Sequence, residues 1–502
     1  MAIRPLETDF KSVALAAIEK DARSWAAKSL PFKGVRHNVT IPLITNPRDD
    51  PMSCRESVQE NAAISSQVSA QVHAVYEQLL AYRSRTPESL TKIQLPSIDL
   101  ESDFLLQLTI AAQSFDIYPD FCKHRIWHSH RLWLSDTGLL PNLPFVKKLG
   151  ISSGGTTPDH ERVRPLSLRL PFQCFVRLPS IRELDLPWMW ERLPIAYSRR
   201  AFREYTRCWE GPWRDQRHDF AAVLMRPEEE LGNSIPASLE KARMHFWEPL
   251  SVLKEDQAAQ RPNLIHPAPK DPVSVSLCEL AVQLEEFDLR ALLTPDLFPV
   301  AGTQQWSNMR RLRIEFHPLR PDGLWYFIGP RGEDPHSEGG FIISDADHYP
   351  PLADRPEDKL LDQAYAQNPD EDVEVDYLPD HFRTAPCRER IEPLLSAFAT
   401  ALENTDKLED AYLFAFLSWR PSESRQEQYE DELPYQPRKN THRWGVRYLA
   451  ASGSEGGSGP TVEWQVGSWK PSQAVMQLFE DLGHQEWLDF EYYPGRPTYL
   501  DT

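Results

Sequence analysis

The densest group of metal-capable side chains lies in the segment FCKHRIWHSHRLW, which contains Cys122, His124, His128 and His130. On a helix, His124 and His128 would share one face, as zinc ligands often do. The glutamate of an HExxH metallohydrolase motif is missing, because Arg125 follows His124. The tryptophans of the same segment indicate packing, so we favour a helix with a core side and a surface side. A zinc site, and with it a metal-dependent hydrolase, is the alternative interpretation.

Two histidines near an aromatic segment are the second candidate for chemistry. His317 and His348 flank a stretch that contains Trp325 and Tyr326, with which they could line a pocket. We favour histidines that are exposed or satisfied within the fold. The chain contains no GxSxG nucleophile elbow, Walker sequence, dinucleotide fingerprint or kinase motif set. The sequence therefore predicts no catalytic residue, no bound metal, no cofactor and no enzymatic activity.

The clearest strand pattern of the chain lies within residues 306–330. Leu312, Ile314 and Phe316 alternate with charged residues, which is the period-2 pattern of a half-buried strand. A turn rich in Pro, Asp and Gly follows, and the alternation then resumes from Leu324. The segment predicts a hairpin or a three-stranded meander.

Residues 444–448 and 462–466 also alternate, on either side of the flexible loop 451–459, and this pattern predicts a second β-hairpin. Exposed Trp and Tyr side chains are typical anchors of protein interfaces. The candidate protein-binding surface consists of five rings from the two hairpin regions, Trp325, Tyr326, Trp444, Trp464 and Trp469. Buried packing is the favoured interpretation for most of these rings.

A pattern of the form LxxLxL recurs along the chain and resembles the core of a leucine-rich repeat. It occurs as IRELDL at 181–186, LEEFDL at 284–289, MRRLRI at 309–314 and LEDAYL at 408–413. The intervals are irregular, since the last three motifs begin 25 and then 99 residues apart. We predict an α/β fold in the form of an irregular leucine-rich-repeat-like array with long insertions and a C-terminal β-hairpin region. A curved solenoid-like sheet and a less regular α/β stack both remain open.

The chain of 502 residues is longer than one hydrophobic core usually supports. We expect an N-terminal helix within 1–34, a degenerate α/β repeat region over 35–300, and a C-terminal α/β region over 301–502. The last region contains an acidic insertion at about 351–390, in which residues 368–380 hold six carboxylates and no Lys or Arg. A solvated insertion is the favoured interpretation, and a docking strip for a basic partner is the alternative.

Composition excludes several function classes. The net charge of −19 repels a phosphate backbone, so nucleic acid is not an expected partner. The six cysteines are scattered and contain no CxxC pair, which indicates reduced thiols in the cytoplasm or nucleus. We find no apolar run long enough to span a bilayer and no apolar region of a signal peptide, so an intracellular protein without a membrane partner is expected.

Several long phrases resemble a large group of uncharacterised fungal proteins described as F-box domain-containing. They are MRRLRIEFHPLRPDGLWYFIGPRGEDP at 309–335, HYPPL at 348–352, IEPLLSAFATAL at 391–402, HRWGVRYLA at 442–450 and VEWQVGSW at 462–469. With weaker similarity upstream, the resemblance covers roughly residues 35 to 490.

The resemblance implies a substrate receptor without an active site of its own. In such proteins an F-box binds the Skp-type adaptor of a cullin ubiquitin ligase, and the remainder captures a protein substrate. This chain departs from the pattern, because no leucine-proline opening of an F-box is visible and residues 11–29 could supply only its final helix. A stand-alone protein-interaction scaffold without ligase docking is therefore the alternative, and the hydrolase discussed above is the third possibility.

Overall fold

The computed structural model describes residues 2–3, 9–42, 44–45, 58–98, 103–112, 131–152, 166–187, 189, 191, 210–247, 256–300, 305–344, 380–429, 441–451 and 459–492. These residues belong to two compact units. The first unit draws on 1–193, 222–244 and 350–371, and the second on 194–221, 245–349 and 372–502. The domain borders predicted from the sequence, after residues 34 and 300, stay a prediction.

In chain order the helices are α1 (Phe10–Ala27), α2 (Val58–Arg83), α3 (Pro87–Lys92), α4 (Leu170–Phe175), α5 (Glu210–Met225), α6 (Pro227–Leu231), α7 (Pro272–Ala281), α8 (Arg388–Glu403), α9 (Glu423–Tyr429) and α10 (Gln473–Glu480). The strands are β1 (Ala2–Ile3), β2 (Gly34–Ile41), β3 (Ile44–Thr45), β4 (Phe104–Ala112), β5 (Val146–Ser152), β6 (Glu183–Leu186), β7 (Lys241–His245), β8 (Glu286–Ala291), β9 (Arg311–Phe316), β10 (Phe327–Ile328), β11 (Ala385–Pro386), β12 (Asp410–Ser418), β13 (Thr441–Leu449), β14 (Thr461–Gln465) and β15 (His484–Trp487). None of the described helices has both the length and the apolar character needed to cross a membrane.

In the first unit, strands β2, β4, β5, β6 and β7 are parallel and neighbour one another in chain order. Apolar residues at equivalent strand positions pair side by side across them. One buried row runs through Val35, Leu106, Leu149, Leu184 and Ala242. Helix α1 packs on α2 and on β2 within this unit. The helix predicted for residues 11–29 is therefore confirmed as an element, and it belongs to the same compact unit as the strands.

In the second unit, β8, β9 and β12 are parallel neighbours in chain order. The sheet continues through β13 and β14, each antiparallel to the strand before it, and β15 runs parallel to β14. One row of paired residues runs through Leu289, Ile314, Leu413, Val446, Trp464 and Trp487. Helices cover this side of the sheet, since the Phe479 ring of α10 lies 4.7 Å from that of Trp464 and 6.4 Å from that of Phe398 on α8.

Polar caps determine where two of the long segments turn into helices. Asp271 begins α7, because its carboxylate accepts a hydrogen bond from the Ser274 backbone and Pro272 follows in the first turn. The same carboxylate pairs with the fully buried guanidinium of Arg217 on α5, at 3.1 Å. In the first unit, Asp9 caps α1 in the same way. The contacts of Asp271 fix the positions of α5 and α7 in the second unit.

The α/β class and the C-terminal hairpin are confirmed, the hairpin being β13 and β14. The hairpin predicted within 306–330 is wrong. Strand β9 forms as expected, but β10 pairs with β11, a segment far along the chain, rather than turning back on β9. The two arms of the predicted turn meet only locally, in an antiparallel bridge between Leu319 and Trp325, where the Tyr326 backbone donates to the Pro318 carbonyl at 2.8 Å in this described part of the chain.

Candidate interaction face

The two faces of the second unit's sheet differ in composition. The face under the helices is apolar, and the opposite face carries charged, polar and aromatic side chains. Successive residues of a strand point to opposite faces, so the residues between the apolar positions share the other face. One row on that face consists of Asp288, Arg313, Tyr412, Arg447 and Glu463. The next row consists of Arg290, Glu315, Phe414, Gly445 and Gln465. We refer to these two rows, with Phe416 and Arg443 beside them, as the polar face.

Three aromatic rings of β12 form the centre of the polar face. Tyr412 and Phe414 are stacked with their centroids 4.5 Å apart, and Phe416 meets Phe414 edge-on at 5.8 Å. The Tyr412 hydroxyl donates a hydrogen bond to the side chain of Gln465, with the two atoms 2.9 Å apart. Burial raises the pKa of this hydroxyl, against the effect of the nearby Arg443, so the phenol stays neutral. The rings form a fixed platform that side chains from both neighbouring strands cover.

Guanidinium groups lie over these rings. Arg313 of β9 is 5.0 Å from the Phe414 centroid and Arg443 of β13 is 5.1 Å from it. Arg447 lies 5.9 Å from the Tyr412 centroid. A cation over an aromatic face gains roughly 0.5–1 kcal/mol at exposed sites. The arrangement holds three arginines in defined orientations over one aromatic platform.

The arginines differ in how tightly carboxylates hold them. Arg447 makes two hydrogen bonds to Asp410, at 2.9 and 2.7 Å, and this pairing raises the pKa of Arg447. Arg443 lies 2.9 Å from the carboxylate of Glu491. The contact between Arg313 and Asp288 is longer, at 3.5 Å. Arg313 is therefore the most loosely paired of the three.

A buried polar cluster of the second unit supports Asp288. His245 lies 3.1 Å from Asp288, and the buried Arg290 donates to Glu315 at 2.9 Å. Burial acts to raise the pKa of Asp288, but the hydrogen bond to His245 and the nearby arginines lower it overall. Burial, and then the charge of Arg290, lower the pKa of His245. The cluster keeps Asp288 ionised beside Arg313, and we assign it a supporting role.

Four of the five rings predicted as binding anchors are buried in the core. Trp325, Tyr326, Trp444 and Trp464 have no more than 3% of their surface exposed. Trp444 and Trp464 belong to the strand positions that face the helices, because they alternate with the residues of the polar face. The Tyr326 hydroxyl donates to the Leu293 carbonyl, and burial raises its pKa. In this structure these four rings cannot contact a partner, and the prediction of an exposed aromatic surface fails for them.

Trp469 is half-buried and is the remaining member of the predicted surface. Its ring lies 5.8 Å from that of Trp444, and the guanidinium of Arg388 lies 5.7 Å from its centroid. His317 is buried, and its Nδ1 accepts a hydrogen bond from the Leu319 backbone at 2.9 Å. A histidine satisfied within the fold was the favoured interpretation for this position, and the contact agrees with it.

Several predicted features lie outside the described residues. They are Cys122, His124, His128 and His130 of the possible zinc site, His348, and the acidic segment up to residue 379. Within the described ranges, no group of three or more His, Cys, Asp or Glu side chains could hold a metal ion. Burial raises the pKa of the thiols of Cys174 and Cys278 to about 12, so both are protonated at neutral pH. These two cysteines act as packing residues.

The polar face was not predicted from the sequence. One signal was present, since residues 411–417 are apolar at every position, which indicates a strand covered on both sides. Within that run, alternation places Tyr412 and Phe414 on the face opposite to Leu413. No protein-family model matches this chain, and comparisons with curated proteins and with solved structures found no match.

Proposed function

We propose that this protein is a leucine-rich-repeat-like receptor that binds other proteins through the polar face of its second unit. In line with the resemblance to F-box proteins, it would present a protein substrate to a cullin-type ubiquitin ligase through a Skp-type adaptor. The cysteine pattern and this role together favour the cytoplasm or nucleus. The observation that carries the proposal is the arginine-covered aromatic platform on one side of the second unit's sheet.

The register of the strands supports the repeat architecture. The motifs LEEFDL, MRRLRI and LEDAYL run into β8, β9 and β12, which are parallel neighbours in the order of the chain. Equivalent motif positions pair directly, as in the row Phe287, Leu312 and Ala411 and the row Leu289, Ile314 and Leu413. A stack of units whose matching residues line up is the defining property of solenoid repeats. Such stacks present one continuous face of strand residues to a partner.

The composition of the polar face supports protein binding. Arg and Tyr are enriched among the residues that contribute most to protein–protein binding, and aromatic residues and Arg are enriched at interface cores. The face offers Arg313, Arg447 and Tyr412, all part-exposed, above the buried Phe414. A rigid aromatic platform also reduces the side-chain entropy lost on binding.

The test is affinity purification of the tagged full chain from a fungal host, followed by quantitative mass spectrometry. Wild type is compared with Arg313→Glu, which reverses a charge on the polar face. The matched control is Lys407→Glu, which makes the same charge change at an exposed lysine whose amine binds Asn308 at 2.9 Å, outside the sheet. Circular dichroism confirms that both variants are folded.

Three outcomes separate the possibilities. The ligase receptor is supported if every sample contains Skp-type adaptor and cullin and further proteins are lost only from Arg313→Glu. Proteins lost only from Arg313→Glu, without adaptor or cullin in any sample, support a stand-alone interaction scaffold. If Arg313→Glu and Lys407→Glu recover the same proteins as wild type, the polar face is not the binding surface and the proposal fails.

A further inference from the structure

We infer that the polar face recognises an acidic segment of a protein partner, with Arg313 as the principal contact and the stacked Tyr412 and Phe414 rings as its support. This inference rests on the proposed function and specifies the chemistry of the partner. It follows from the way hydrogen-bond donors and acceptors are distributed among the side chains of the face.

Two carboxylates beside the aromatic platform are already engaged. Asp410 is on the same side of β12 as Tyr412, and both of its carboxylate oxygens accept hydrogen bonds from Arg447, at 2.9 and 2.7 Å. Asp288 is held by His245 at 3.1 Å as well as by Arg313. Glu463, at the β14 end of the row, is held less tightly, since Arg447 lies 4.0 Å from it. A basic partner would have to displace the arginines or the histidine before it could reach Asp410 or Asp288, so the part of the polar face around Arg313 is poorly suited to a basic segment.

The donors, in contrast, are in surplus at Arg313. A guanidinium carries five N–H donors, and in the described structure that of Arg313 makes one hydrogen bond, at 3.5 Å to Asp288. Its side chain is 39% exposed, so the remaining donors are accessible from solvent. Charge-assisted hydrogen bonds from Arg to a carboxylate are stronger than neutral ones and are often bidentate. Arg313 is thus the group that gains most from an added carboxylate.

The platform orients Arg313 for this contact. Its guanidinium lies 5.0 Å from the Phe414 centroid, and Arg443 lies at 5.1 Å from the same ring. A guanidinium that stacks on a ring keeps its planar fork of donors fixed, so less freedom is lost when a carboxylate binds. Because Glu491 already pairs with Arg443 at 2.9 Å, the open positive charge beside the ring is that of Arg313. This local charge complements an acidic segment even though the chain as a whole carries −19.

The test uses the purified full chain and a fluorescein-labelled oligoglutamate peptide, with fluorescence anisotropy at an ionic strength of about 0.15 M. An oligolysine peptide of equal length is the opposite-charge probe. The variants are Arg313→Gln and the control Lys407→Gln, which removes one positive charge away from the sheet. We expect saturable oligoglutamate binding that Arg313→Gln weakens by about tenfold or more and that Lys407→Gln leaves unchanged.

The result that overturns the inference is equal oligoglutamate binding by wild type and Arg313→Gln, no saturable binding, or tighter binding of oligolysine. This failure is distinct from failure of the proposed function. If oligoglutamate does not bind while Arg313→Glu still removes proteins in the purification experiment, the face binds proteins by other chemistry. If the purification shows no face-dependent protein, the proposed function itself is refuted.

Discussion

Replacing Trp464 with alanine tests whether this ring is part of the core or a binding anchor. The ring is fully buried, lies 4.7 Å from Phe479 and stacks on Trp487 at 5.3 Å. Its Nε1 donates to the side chain of Gln485 at 2.7 Å. Trp464→Ala removes all three contacts and leaves a cavity between the sheet and α10. A large loss of stability is therefore expected.

The magnitude follows from the buried volume. Truncating a buried Trp to Ala costs about 3 to 5 kcal/mol, which includes the cavity left behind. With a urea dependence of about 2 kcal/mol per molar, a loss of that size lowers the unfolding midpoint by about 2 M. The matched variant is Trp487→Ala, on the other side of the stack, whose side chain is 37% exposed. Trp487→Ala should lower the free energy of unfolding by less, because less of the apolar surface that it removes is buried in the folded state.

The assay is urea unfolding followed by far-ultraviolet circular dichroism, because tryptophan fluorescence changes with the substitution itself. The same variants are compared in the affinity purification at a temperature at which they are folded. A Trp464→Ala chain that unfolds at the wild-type midpoint but loses its co-purifying proteins would refute the reasoning. Trp464 would then be an exposed anchor, and the assignment of the two faces of the sheet would be wrong.

Two further predictions concern β13. Burial lowers the pKa of His442 from 6.5 to about 4, so the stability that neutral His442 contributes is present above pH 6.5 and is lost as pH falls toward 4, by about 3 kcal/mol in all. Urea unfolding at pH 7 and pH 4.5 should show a smaller loss for His442→Phe than for wild type, and equal losses would contradict the assignment. In Gly445→Ala the new Cβ would lie 2.5 Å from the Leu413 carbonyl oxygen and 2.6 Å from Phe414 Cβ, so the unfolding midpoint should fall by an amount equivalent to about 1 to 3 kcal/mol. An unchanged midpoint would show that β12 and β13 are more loosely paired than described.

The sequence located strands well but not the faces they present. Alternation shows which residues of β13 share a face, and it grouped Trp444 with Val446 correctly. It does not show which face the helices cover, because β12 is apolar on both sides. The tryptophans were therefore proposed as a binding surface. Arg443 and Arg447, which lie next to Trp444 and Val446 in the strand and point to the opposite face, were overlooked. Composition alone could not separate these choices, since Trp is common both in cores and at interfaces.

Two strands of the first unit, β5 and β7, were not predicted from the sequence because they lack the leucine pattern. Strand β5 uses Val146, Leu149 and Ile151, and β7 uses Ala242 and Met244, at positions equivalent to the leucines elsewhere. Packing requires apolar groups of suitable volume rather than leucine itself, so these substitutions preserve the buried rows. The pairing of β10 with β11 was also unpredictable, because it joins segments far apart in the chain that carry no alternating pattern.

The distance between neighbouring parallel strands of the second unit does not depend on the length of the chain that connects them. Glu286 pairs with Arg311 and Arg311 pairs with Asp410, although the first pair is separated by 25 residues and the second by 99. Adjacent strands lie about 4.8 Å apart in both cases. A partner that binds across the polar face, as proposed above, would therefore meet one strand per fixed distance, independent of the length of the connections. The connections can lengthen or shorten during evolution without altering the spacing of the strands across the polar face.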